Sequence, residues 1–134
     1  MRPSRLIRGL GCAVALAAGL VVVPAGPASA AAPHCSKWIY SYNIILPAAS
    51  NGAMDCNMGR GSNSNAVRAL QSNLNLCYSA GLKEDGDFGA ATERALKAAQ
   101  RKDHTDDDGV YGPKTRKAMT WFRDSAGCVD DFFS

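Results

Sequence analysis

The sequence predicts an all-α fold, a small three-helix bundle stabilised by disulfides and preceded by a short extended N-terminal segment. Three observations predict it. A loop-helix unit occurs twice: Asp85-Gly86-Asp87-Phe88-Gly89-x-x-Thr92-x-x-Ala95-Leu96 returns 23 residues later as Asp108-Gly109-Val110-Tyr111-Gly112-x-x-Thr115-x-x-Ala118-Met119. Apolar residues from Val67 onward recur at helical spacing. Four cysteines outside the N-terminal leader form an even set in a short chain, the arithmetic of a disulfide framework.

Residues 1–30 are expected to be a signal peptide. Arg2, Arg5 and Arg8 form a basic start, Gly9 to Val23 an apolar run, and Ala28-Ser29-Ala30 a small-x-small cleavage site, the three parts of an export signal. The run is short and rich in alanine and glycine for a membrane span. The alternatives are a retained anchor, or a lipoprotein modified at Cys12, and leucine stands one place too late before that cysteine. Without the leader's three arginines, 12 basic residues face 12 acidic ones. That balance gives no global signature for nucleic acid or an anionic membrane.

Residues 31–61 read as an N-terminal extension. Trp38, Tyr40 and Tyr42 alternate at period two and Ile44-Ile45-Leu46 follows, so an extended or short strand segment is expected. Asn51-Gly52 signals a turn, and Gly59-Arg60-Gly61 a flexible join.

Residues 62–128 read as the folded domain, and 129–134 as a tail, frayed or docked. A first helix runs from about Asn63 to Cys77, with Val67, Leu70, Leu74 and Cys77 on one face. Ser62 or Ser64 can cap it. A second helix opens near Ala90, with Thr92, Ala95, Leu96 and Ala99 on its stripe. A third opens after Gly112-Pro113, proline suiting the first helical position. Its expected stripe is Thr115, Ala118, Met119 and Phe122, with Gly127 as the stop. In each Asp-Gly loop, glycine is expected at positive φ, with the aspartate bonding the following amides. Phe88 and Tyr111 are expected to anchor the loops from inside. Cys35, Cys56, Cys77 and Cys128 allow three pairings. Cys35–Cys56 and Cys77–Cys128 are favoured, closing the extension and tying the first helix's end to the chain's end.

Catalysis has little to stand on. His34 and His104 are the two histidines, and zinc hydrolase chemistry needs convergent ligands plus a base. An even cysteine count argues against a free thiol nucleophile. Glycosidase chemistry needs two carboxylates across a cleft, and the turns already employ Asp85 and Asp108. A calcium loop with Gly109 at its sixth position would put Thr115 where glutamate is needed. No enzyme activity, metal or cofactor is expected.

These residues resemble the helical peptidoglycan-binding domain, the three-helix module of many bacterial cell-wall hydrolases. The resemblance runs from about Gly61 to Phe122 and includes Val67-x-x-Leu70-Gln71-x-x-Leu74-Asn75 with the two Asp-Gly-x-aromatic-Gly units. Ala99-Gln100 stands where the family commonly has Phe-Gln, and Cys77 where it commonly has glycine. The resemblance implies a non-catalytic module at the cell wall, with peptidoglycan glycan-peptide as its partner; the leader and the cysteines make it secreted, and a monomer is expected. For such a ligand, aromatic faces stack on sugars and charged groups pair with peptide carboxylates. The candidates are Gln71, Tyr78, Asp85, Arg94, Tyr111 and Trp121. Five of them have a structural rival: loop bonding for Gln71 and Asp85, burial for Tyr111 and Trp121, a solvated cationic row for Arg94. Two further readings remain open, a scaffold that binds another secreted wall protein and a small wall hydrolase.

Overall fold

The structure is a computed structural model, and it describes Gly19, residues 31–130 and Phe133. The expected signal peptide and its cleavage site lie outside the described residues, Gly19 apart. The fold is mixed rather than all-α. In chain order it runs β1 (Cys35–Ser41), β2 (Ile44–Ala49), α1 (Asn65–Tyr78), α2 (Ala90–Lys102), α3 (Pro113–Ala118), β3 (Trp121–Arg123) and β4 (Gly127–Val129). β1 pairs antiparallel with β2, and β3 with β4, giving two separate two-stranded sheets.

The period-two segment becomes a full hairpin because its turn residues, Tyr42 and Asn43, both take left-handed φ, 56° and 64°. That geometry matches the twist of paired strands. The hairpin's inner face buries Ile44, Leu46 and Ala48 against α1, while Trp38, Tyr40 and Ile45 face outward. Its base is closed by Cys35–Cys56, and Cys77–Cys128 joins α1 to β4, the favoured pairing in both cases. At the hairpin's tip the Asp124 amide donates to the Asn43 carbonyl (3.1 Å), and the Tyr40 hydroxyl to Asp124 Oδ2 (2.6 Å).

α1 begins at Ser64, whose hydroxyl accepts from the Val67 amide, and ends where Ser79 turns left-handed. α3 corrects the expected third helix. It has six residues, with the chain extended at Met119, so Phe122 lies on β3 and Gly127 opens β4 instead of stopping a helix. The cause is a clamp from α1. Asn73 donates to the Thr120 carbonyl (3.0 Å) and accepts from the Phe122 amide (2.9 Å), and the Tyr78 hydroxyl accepts from the Thr120 amide (2.7 Å). The Trp121 indole N–H then donates to the Arg116 carbonyl (2.9 Å), satisfying one of α3's last acceptors.

One core joins the N-terminal hairpin, α1, α2 and β3. Leu70, Leu74, Leu96, Met119, Phe88, Tyr111 and Trp121 meet beneath the N-terminal hairpin, with Tyr111 and Trp121 edge to face at 6.3 Å, a favoured aromatic geometry. Phe133 of the tail packs against this core, its ring 4.6 Å from the Arg116 guanidinium carbon.

Candidate functional site

The duplicated loops are two copies of one lock. In the first, the Gln71 amide N–H group donates to Asp85 Oδ1, the Asp87 carbonyl and Thr92 Oγ1, and Gln71 Oε1 accepts from the Gly86 amide. In the second, Gln100 does the same with Asp108 Oδ1, the Val110 carbonyl, Thr115 Oγ1 and the Gly109 amide. Asp85 and Asp108 each also accept from the amide two residues on. The glycines take φ +81° and +73°. Hydrogen bonds to the Asp87 amide and then to Gln71 hold the Asp85 carboxyl below its usual range, because each stabilises the charged form.

The locks and the core between them occupy four of the six candidates. Gln71 is buried with its amide fully bonded, and Asp85 spends its carboxylate on the turn. Tyr111 and Trp121 are sealed in the core at 0% exposure, which leaves neither ring a face for stacking. Burial pushes the Tyr111 phenol far above its ordinary value.

Tyr78 and Arg94 stand elsewhere, and together. They line a groove of about 610 Å³ between the end of α1 with its Ser79–Leu82 exit and the outer face of α2. Ala91, Ala95, Ala98 and Lys102, at spacings of four, three and four residues, run along the α2 side with Arg94 beside them. The opposite wall is Tyr78, Ser79, Ala80, Gly81 and Leu82. Small side chains leave the depth, and the chain leaves α1 through left-handed turns at Ser79 (φ 53°) and Gly81 (φ 64°).

The side chains that line it carry charge of one sign, with the Asp103 carboxylate at its edge on the Tyr78 hydroxyl. Arg94 and Lys102 bring two positive charges, and no carboxylate is among the described residues that line the groove. Their helix neighbours are neutralised: Lys97 pairs with Glu93 at 3.2 Å and Arg101 with Asp107 at 3.1 Å. Neither Arg94 nor Lys102 has an ion-pair partner among the described residues. The Lys102 ammonium sits 5.1 Å from the centre of the Tyr78 ring, attracted to its face. The ring is fixed in turn, since its hydroxyl donates to Asp103 Oδ2 and accepts from the Thr120 amide. Burial, then the Asp103 bond, raises the Tyr78 phenol well above its ordinary value.

The sequence did not single out Lys102, Leu82, Ala91 or Ala98, and it placed Ala95 on the core stripe, where it packs while also lining the groove. The signal was present in the small-residue stripe Ala91, Ala95, Ala98 ending on Lys102, although which face of α2 stays open depends on where the α1 exit loop lies. Among the described residues no group of three or more metal-ligating side chains comes together, and no helix is long and apolar enough to cross a membrane.

Residues 63–119 match the family described as a putative peptidoglycan binding domain, a span covering both loop locks, α1 and α2 and ending one residue past α3. Among solved structures, the N-terminal domain of SleB is 35% identical, over 46% of this chain and 85% of that one, with a TM-score of 0.45. A fused Zn-dependent amidase/peptidase with a peptidoglycan-binding domain, from Clostridium acetobutylicum ATCC 824, is 30% identical over 45% of this chain and 27% of its own, with a TM-score of 0.43. A peptidoglycan-binding protein from Clostridioides difficile, in complex with glutamine hydroxamate, is 26% identical over 59% of this chain and 54% of its own, with a TM-score of 0.48. No curated protein matches the chain.

Proposed function

We propose that this chain, whose residues 63–119 belong to the putative peptidoglycan-binding domain family, is a secreted, non-catalytic module that holds the bacterial cell wall in the groove between α1's exit and α2. The observation that carries the reading is the groove itself, a depression that combines the Tyr78 ring with two cations that have no carboxylate partner among the described residues. A preformed concave site with few convergent polar groups is the usual form of a ligand site. The two disulfides support an oxidising, extracellular or wall-associated location. The non-catalytic part of the reading is supported by the turn duties of Asp85 and Asp108, which bind their own loops.

Co-sedimentation with purified insoluble peptidoglycan across a salt series tests the reading. Retention that persists at high salt and is competed by soluble wall fragments is expected. Retention that vanishes with salt reduces the groove to nonspecific charge contact, and no retention rejects wall binding.

A second reading has its own observation. Trp38, Tyr40, Tyr42 and Ile45 are about half exposed or more on the hairpin's outer face, with Leu76 of α1 also exposed. Contiguous exposed apolar surface of this kind marks protein contacts, so a second secreted wall protein is the partner this face favours. Capture of a defined wall protein that is lost in Trp38→Ser and Tyr40→Ser, with wall retention unchanged, distinguishes the two surfaces.

A further inference from the structure

We infer that the groove recognises the peptide part of the wall and not its glycan, taking an extended acidic peptide through two carboxylates with alanine-sized side chains between them. The inference rests on the wall-binding reading and gives that site its chemistry.

The charge pattern argues for it first. In a chain whose basic and acidic residues balance outside the leader, the groove gathers two cations and no carboxylate among its described lining residues. The nearby cations on α2, Lys97 and Arg101, are answered by Glu93 and Asp107. Arg94 and Lys102 therefore offer charge that a ligand can answer. They are eight residues apart on one helix, which sets their backbones ~12 Å apart along its axis. An extended peptide covers that length in roughly four residues. Arg94 presents a planar fork suited to a carboxylate, while Lys102 offers a point charge already held over the Tyr78 ring.

The floor argues for it second. Between the two cations lie Ala95 and Ala98, one methyl group each, opposite the Ser79–Gly81 main chain. A shallow floor of methyl groups and backbone fits a chain of small residues. Tyr78, the one aromatic ring among the described lining residues, has one face against Lys102 and its hydroxyl held by Asp103 and Thr120. It is therefore poorly placed to stack on a sugar, and no second ring lines the groove among the described residues.

The test uses the oxidised protein from an exporting host and three wall preparations: intact peptidoglycan, the same wall stripped of stem peptides by an amidase, and intact wall with its carboxyls amidated. Soluble stem peptide and peptide-free glycan serve as competitors. Retention on intact wall is expected, falling about tenfold or more on stripped and on amidated wall, with competition by peptide alone. Arg94→Gln and Lys102→Gln should each weaken retention by about tenfold, the loss expected for one charge-assisted bond. Lys97→Gln, outside the groove's lining, should leave it unchanged. Undiminished retention on stripped wall, or competition by glycan alone, overturns the peptide assignment while leaving wall binding standing. No retention on intact wall overturns both.

Discussion

At the scale of single residues, the glutamines govern more than the aspartates that first draw the eye. Gln71 and Gln100 each satisfy a buried glycine amide and tie a helix to the loop after it. Gln100→Ala should therefore cost about 2 kcal/mol, since a buried N–H loses its partner, and should lower Tm by roughly 10 °C for a domain of this size. Thermal unfolding of the oxidised protein checks it. Two glycines of positive φ should behave differently. At Gly81 (φ +64°) an added Cβ meets nothing within 4 Å, whereas at Gly86 (φ +81°) it lies 2.9 Å from the Ser64 carbonyl oxygen. Gly81→Ala should cost about 1 kcal/mol through backbone conformation alone, and Gly86→Ala clearly more, as comparative denaturant melts would show. The buried phenols make stability fall in alkali. Tyr78 and Tyr111 hold their protons far above the ordinary value, while the unfolded chain releases them near pH ~10. Their contribution is whole below that pH and is lost as pH rises towards the folded values. Phenolate absorbance should show both resisting ionisation until the protein unfolds, and smooth titration of all tyrosines in the folded state would contradict this.

At the scale of elements, the two disulfides and the Asn73–Tyr78 clamp decide what the helices alone leave open. Replacing Cys35 and Cys56 with alanine removes a cross-link spanning 21 residues and should cost about 3 kcal/mol. Hydrogen exchange should then show the β1–β2 hairpin opening before α1 and α2. Tyr78→Phe removes the acceptor for the Thr120 amide and should loosen β3 and β4 while keeping a ring beneath Lys102. Much of this level could be read from the sequence. The Asp-Gly loops announce themselves because their glycine, aspartate and aromatic positions are local and repeated, and α1 and α2 because their apolar stripes run three to four turns. The β3–β4 hairpin could not be read in that way. Three-residue strands carry no period, and Thr115, Ala118, Met119 and Phe122 happen to continue a helical one. The chain leaves the helix because Asn73 and Tyr78, more than 40 residues earlier, claim the backbone at 120–122. The candidate site divided along the same line. Arg94 and Tyr78 fall in the groove, whereas the residues that make the repeat recognisable are consumed in holding it together.

At the scale of the molecule, the family segment and the extension have separate duties. The segment builds two loop locks and leaves one open face of α2. The extension supplies the lid of the core through Ile44, Leu46 and Met58, and it pairs its Met58 backbone with Tyr111. Its aromatic outer face points away from that core and offers a second surface. On the proposed function, the wall is held at the α1–α2 groove. Amide chemical shifts of the oxidised protein, followed during titration with soluble wall fragments, test it most directly. Changes are expected to concentrate at Ser79, Gly81, Leu82, Arg94, Ala98 and Lys102, with the 38–45 hairpin still. Changes centred on Trp38, Tyr40 and Tyr42, with the groove unmoved, would contradict it.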